Sequence, residues 1–175
     1  MSIAENPFDH VLYEIEMYLL TYRIVFPNDS PFAQLSINLV LDSRAVHLRN
    51  LSKFFSKKNS QTDWRVGEFL KDVSTKPFLS EKMQKKINRY TSNATCHLSK
   101  ERMSDSFKKN TADCFQEVYH IIVNLIQTFF SLLDTNVKSE YENAWREKSI
   151  QDRVSIINNF LSNQIIDVSG FTGAF

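Results

Sequence analysis

Glycine stands at only three positions of this 175-residue chain (67, 170 and 173), and proline at four (7, 27, 31 and 77). Average usage would supply about twelve and about nine. Phosphate-cradling loops, tight hairpins and dinucleotide-binding turns need glycine where the backbone turns sharply or approaches a ligand. The shortage therefore excludes a P-loop, a Rossmann fingerprint and most β-rich folds. Residues 32–66 and 78–169 contain neither breaker, so they can run as long helices parted only by polar loops. The expected fold is all-α, an antiparallel bundle of four to five helices. The length, with 42% apolar and 23% charged residues, suits one soluble globular domain over 1–175.

Capping signals set the helix boundaries. Asn6 before Pro7 predicts an N-cap with proline at the first helical position. Phe8, Leu12, Ile15, Leu19, Tyr22 and Phe26 then share one face, up to Pro27. Ser30-Pro31 repeats the signal for a second helix running to about Lys58. Residues 59–79 read as irregular, with a short helix around 63–70. A third helix starts at Ser80, with Met83, Ile87, Tyr90, Ala94 and His97 aligned. Ser104–Asn110 reads as a polar break. A fourth helix from Thr111 to about Asp134 is apolar on most sides and is expected at the centre. A fifth spans about 139–162 and carries Trp145, Ile150, Val154, Ile157 and Leu161. The apolar tail 165–175 is expected to pack back or to dock on a partner.

Polar groups stand where apolar ones belong. On the second helix His47 lies within about 40° of Val40, Leu51 and Phe54, in the middle of the apolar face, with Arg44 beside it. On the third, His97 and Glu101 fall within about 20° of Tyr90. A buried polar group without a partner costs a few kcal/mol, so such a cluster is either mutually hydrogen-bonded or opens on a cleft. If those two helices pack together, His47, His97, Arg44 and Glu101 form a candidate catalytic site with histidine as general acid and base. The alternative is a hydrogen-bonded network that fixes helix register. Neither His47 nor His97 sits in an H-E-x-x-H or E-x-x-H spacing that would hold ligands on one helix face, so neither a metal nor another cofactor is expected. His10 and His120 are expected at the surface. Cys96 and Cys114 read as reduced, inert thiols.

The net charge of +1 hides a segregation. Residues 1–30 carry one basic and five acidic groups, residues 44–109 carry 16 and six, and residues 110–175 carry four and eight. Lys53, Lys57, Lys82, Lys85, Lys86 and Arg89 mark the basic middle as a candidate phosphate-backbone footprint. A solvated face, neutralised in space by the acidic helices, gives the same pattern. Aromatic residues do not interleave with the stripe, so base stacking finds no support in it. The N-terminus has no basic start followed by an apolar run, and Val118–Leu133 is short and broken by polar residues. With two cysteines and no C-x-x-C, the expected setting is cytoplasmic.

The segment His47-Leu48-Arg49-Asn50-Leu51-Ser52-Lys53-Phe54-Phe55 and the later His97-Leu98-Ser99-Lys100-Glu101-Arg102 resemble a group of bacterial all-helical proteins without an assigned activity. Those share H-x-R-N-L-x-x-F-F on one helix and H-L-[ST]-x-x-R on another. More remotely, a bundle with an Arg-Asn pair resembles the HEPN superfamily, many of whose members are dimeric RNases of toxin–antitoxin and phage-defence systems. The RNase signature places His four to six residues after an Arg. Here Arg49-Asn50 is followed by Phe54 and Phe55. The resemblance thus implies a helical fold that forms a homodimer, without the nuclease motif. The expected function is a non-catalytic helical module that dimerises or binds a partner, with RNA or DNA on its basic face. The alternative is a small enzyme, an HEPN-like RNase or a hydrolase, using the inter-helix His/Arg/Glu site.

Overall fold

The computed structural model describes residues 6–24, 33–57, 63–71, 77–95 and 105–162. They form an all-α fold: α1 (Pro7–Leu20), α2 (Ala33–Phe54), α3 (Val66–Phe69), α4 (Glu81–Thr95), α5 (Asp105–Asn136), α6 (Glu142–Arg146) and α7 (Lys148–Ser162). A 3₁₀ turn, Ser139–Tyr141, precedes α6. Five long helices thus make the bundle, and α3 and α6 are short connectors.

The predicted caps are present at α1 and α4. Asn6 Oδ1 accepts from the Phe8 amide at 3.0 Å, while its Nδ2 donates to the Ala144 carbonyl at 2.9 Å. One side chain thus starts α1 and ties it to α6. Ser80 Oγ accepts from the Met83 amide at 3.3 Å, and Leu79 N–H reaches back to the Phe55 carbonyl at 2.8 Å, which docks the start of α4 on the end of α2. The Ser30-Pro31 signal, His97, Glu101, Cys96 and the tail 165–175 lie outside the described residues.

Three boundaries differ from the sequence reading. Helix α2 ends at Phe54 rather than near Lys58. The expected break at Ser104–Asn110 is absent from Asp105 onward, where α5 has already begun. Ser, Asp and Asn resemble a loop there, but nothing at 105–110 forbids helical dihedrals, and an acidic residue in the first turn suits the helix dipole. The expected helix over 139–162 is instead divided. Glu147 is extended (φ −56°, ψ 135°), and Gln151 Nε2 donates to the Trp145 carbonyl at 2.6 Å, satisfying a group that the break frees.

The buried apolar side chains other than Val40 form one contiguous cluster. Helix α5 supplies Phe115, Val118, Tyr119, Ile122, Ile126, Phe129, Phe130 and Leu133 along one face, while Gln116, His120, Asn124, Gln127 and Ser131 are exposed on the other, so it is a wall of the bundle and not, as the sequence led one to expect, its centre. Aromatic rings dominate the middle. Phe8 lies 4.9 Å from Phe69 and 5.2 Å from Trp145, and Phe54 lies 5.2 Å from Phe129, between ring centroids. Burying each such ring stabilises by about 1.5–3 kcal/mol. All five residues predicted for the last helical face, Trp145, Ile150, Val154, Ile157 and Leu161, are buried. The stretch Asp113–Asn136 is, by length and composition alone, long and apolar enough to cross a membrane, which the sequence reading had denied of its apolar centre. In the fold one of its faces packs into the core and the other is exposed.

Contacts fix helix directions. Glu14 meets His47 and Thr21 meets Arg44, so α1 and α2 run antiparallel. Tyr22 meets Tyr119 midway along α5 while Phe8 meets Tyr141, in the 3₁₀ turn beyond its end, so α1 also runs antiparallel to α5. Arg153 of α7 holds Asp9 at 2.9 Å and Glu16 at 2.8 and 2.9 Å, and Arg23 stacks on Phe160, so α7 runs parallel to α1. An isolated antiparallel bridge, Leu70 with Val137, joins the exits of α3 and α5.

Candidate functional site

His47 is buried, as its place on the α2 apolar face predicts. Its partner comes from α1. The Nδ1–H of His47 donates to Glu14 Oε2 at 2.7 Å, and the Tyr13 ring stands edge-on to the imidazole, centroids 5.8 Å apart. The carboxylate, an acceptor, favours the tautomer with the proton on Nδ1. Sequence reasoning missed Glu14. The available signal was its spacing: four residues after His10, on the flank of α1 beside the apolar stripe.

Arg44, three residues before His47, does other work. Its Nε donates to Thr21 Oγ1 at 3.2 Å and its Nη2 to the Thr21 carbonyl, and its guanidinium lies 3.8 Å from the centre of the Tyr22 ring. Thr21 in turn donates to the Tyr18 carbonyl at 2.6 Å. Arg44 thus serves the end of α1, where helical carbonyls lack intrahelical donors. Burial lowers its affinity for a proton, and it also raises the pKa values of Tyr18 and Tyr22 beside it. Of the expected catalytic group, His47 and Arg44 therefore face different partners, while His97 and Glu101 lie outside the described residues.

A cleft of about 370 Å³ opens beside the Glu14–His47 pair, between α1, α2 and the segment before α3. Val11, Leu51, Phe54 and Trp64 supply its apolar lining, and His10, Glu14, Asn50, Lys53 and Asp63 the polar part. Lys53 Nζ is 3.8 Å and Arg65 Nη2 is 3.2 Å from Asp63 Oδ2, which offsets that carboxylate. Arg65 Nε and Nη1 are buried without a hydrogen-bond partner among the described residues. A second hollow, between α5, α6 and α7, contains Asp134, Asn158 and Asn159, and Asp134 is taken up by the Trp145 indole N–H at 3.3 Å.

The basic residues divide in space. Lys86 pairs with Glu117 of α5 and Lys53 with Asp63. Lys57 is exposed, its ammonium 5.6 Å from the centre of the Phe78 ring. Lys82, Lys85 and Arg89 are exposed, within about 60° of one another and opposite the buried Ile87 of α4. None of these three enters an ion pair among the described residues.

Cys114 is buried on α5, and burial pushes its thiol up to about 11 against the pull of Lys86, an inert arrangement. His10 and His120 are at the surface, as expected. No group of three or more His, Cys, Asp or Glu side chains among the described residues is placed to hold a metal ion. Comparison with protein-family models, with curated proteins and with solved structures finds no match to this chain.

Proposed function

We propose that this chain is a non-catalytic helical-bundle module that binds nucleic acid through the outer face of α4. The observation that carries this reading is the ridge of Lys82, Lys85 and Arg89: three exposed cations, one and two turns apart, with no ion pair among the described residues. A face neutralised by direct ion pairs to acidic neighbours would leave no such ridge. Neutralisation of that kind is found at Lys86 and Lys53 instead. Rows of unneutralised Lys and Arg release counterions from phosphates, which supplies affinity without reading sequence. The test is titration of the purified chain with RNA and DNA at several ionic strengths. Binding that weakens steeply as salt rises supports the reading, and no binding even at low salt ends it.

The partner-binding half of the reading is supported by an apolar stripe on α2. Leu35, Leu39 and Val46 are exposed and fall within about 40° of one another on that helix. Exposed Tyr13 and Leu20 lie on the neighbouring α1. A second copy of the chain is the proposed occupant, giving a homodimer. The enzyme alternative is favoured by one observation, the Glu14–His47 hydrogen bond at the edge of a cleft. The same bond satisfies two polar groups between packed helices, and that suffices to account for it.

A further inference from the structure

We propose that the cleft between α1 and α2 binds a neutral, planar heteroaromatic molecule, a nucleobase or its nucleoside. The site is distinct from the α4 ridge and does not depend on it. Its volume of about 370 Å³ is at the small end of ligand pockets, which span roughly 300–1,000 Å³. One or two fused rings suit it better than an extended chain.

The lining selects the chemistry. Trp64 is 41% exposed, yet its ring is held from behind by Phe69 at 5.5 Å and Tyr141 at 6.3 Å between centroids. A tryptophan fixed on an aromatic base, with its remaining surface open to a cleft, is a stacking platform for any flat π-system. Asn50, half-buried at the same cleft, offers an amide donor and an amide acceptor together. That pair matches the donor–acceptor edge of a base and cannot be matched by a hydrocarbon. The charges argue for a neutral ligand. Lys53, the one Lys or Arg side chain of the lining, is paired with Asp63, so the lining presents no array of unpaired cations for a polyanion.

The experiment uses the full chain and four probes: adenosine, guanosine, cytidine and uridine, at up to millimolar concentration. Binding is read by tryptophan fluorescence and by calorimetry. The other tryptophan, Trp145, is buried with its N–H on Asp134, so a ligand-dependent change reports Trp64. At least one nucleoside should quench the emission and give a matching heat. Trp64→Ala and Asn50→Ala should each weaken it by about tenfold or more. Trp64→Phe should keep the heat and lose the quench, which also guards against a fold defect in the alanine variant. The variant K82E/K85E/R89E should bind the nucleoside like the parent, whatever it does to RNA or DNA. No heat and no quench with any of the four, or undiminished binding in Asn50→Ala, would overturn the proposal.

Discussion

Glu14 of α1 and His47 of α2 meet at 2.7 Å, a carboxylate against Nδ1, between two antiparallel helices. The imidazole side chain is 10% exposed and the carboxylate 26%. A hydrogen bond to a charged group in such a place contributes about 1.5–3 kcal/mol, and loss of one partner strands the other. His47→Ala should therefore lower unfolding free energy by about 2 kcal/mol, and Glu14→Gln by less, because an acceptor oxygen remains. The double variant should lose less than the sum, with a coupling of about 1 kcal/mol. Urea denaturation of the four proteins measures this. Additive losses would remove the pair from the account.

Arg44 makes a separate prediction. Its guanidinium serves the Thr21 carbonyl and hydroxyl and stacks on Tyr22. Arg44→Met keeps the bulk but leaves that carbonyl without its donor, a loss of about 2 kcal/mol. Arg44→Lys should recover only part of it, because an ammonium cannot stack and fork at once. A lysine variant as stable as the parent, by thermal or chemical melt, contradicts this role.

Stability should fall on the alkaline side. Burial raises the Cys114 thiol from 9.0 to about 11. Tyr18, Tyr22 and Tyr119 are raised too, by burial first in each case. The folded chain holds protons that the unfolded chain releases earlier. The stabilisation is therefore complete below pH 9.0 and is lost as pH climbs toward about 11, with the tyrosines extending the loss from 10.0 upward. The urea midpoint should drop over that range, and Cys114→Ala should flatten its first part. In a Cys96→Ser background, Cys114 should react with a thiol reagent only on unfolding. Fast labelling of the native protein, or a midpoint that rises with pH, argues the reverse.

The α2 stripe predicts an effect on assembly without one on folding. Leu39 is 62% exposed, so Leu39→Glu should change unfolding free energy by no more than ~0.5 kcal/mol. If Leu35, Leu39 and Val46 seat a second copy, the same substitution should convert a sedimenting dimer to monomer. A parent chain that sediments as a monomer, or a variant that stays dimeric, rejects that use of the stripe.

Local signals carried much of the fold. The Asn6-Pro7 cap, the Ser80 start and the buried faces of α1 and α7 were readable because capping chemistry and 3.6-residue periodicity act within a few neighbours. The start of α5 and the break at Glu147 were not. Asp105–Asn110 has loop-like composition but no residue that breaks a helix, and no Gly or Pro marks Glu147. The site was legible only by halves. His47 on an apolar face signalled a buried polar group, but the identity of its partner depends on which helix packs against α2, and α1 is 33 residues away in sequence at that contact. Trp64 lay at the start of a short helix expected around 63–70, whereas α3 begins at Val66, so its stacking position could not be derived from periodicity. The ion pairs that separate Lys86 from Lys82, Lys85 and Arg89 are likewise set by tertiary packing.

The central claim is that the α4 ridge contacts phosphates, and the salt dependence of a charge-reversed variant tests it most directly. The logarithm of the binding constant for RNA or DNA is measured against the logarithm of salt concentration for the parent and for K82E/K85E/R89E. Each phosphate contact contributes about 0.7–0.9 to the slope, so the parent should fall steeply and the variant should have a slope shallower by about 2–3 and a lower affinity at every salt concentration. Equal slopes and affinities in a folded variant, or a parent that fails to bind at low ionic strength, would contradict it.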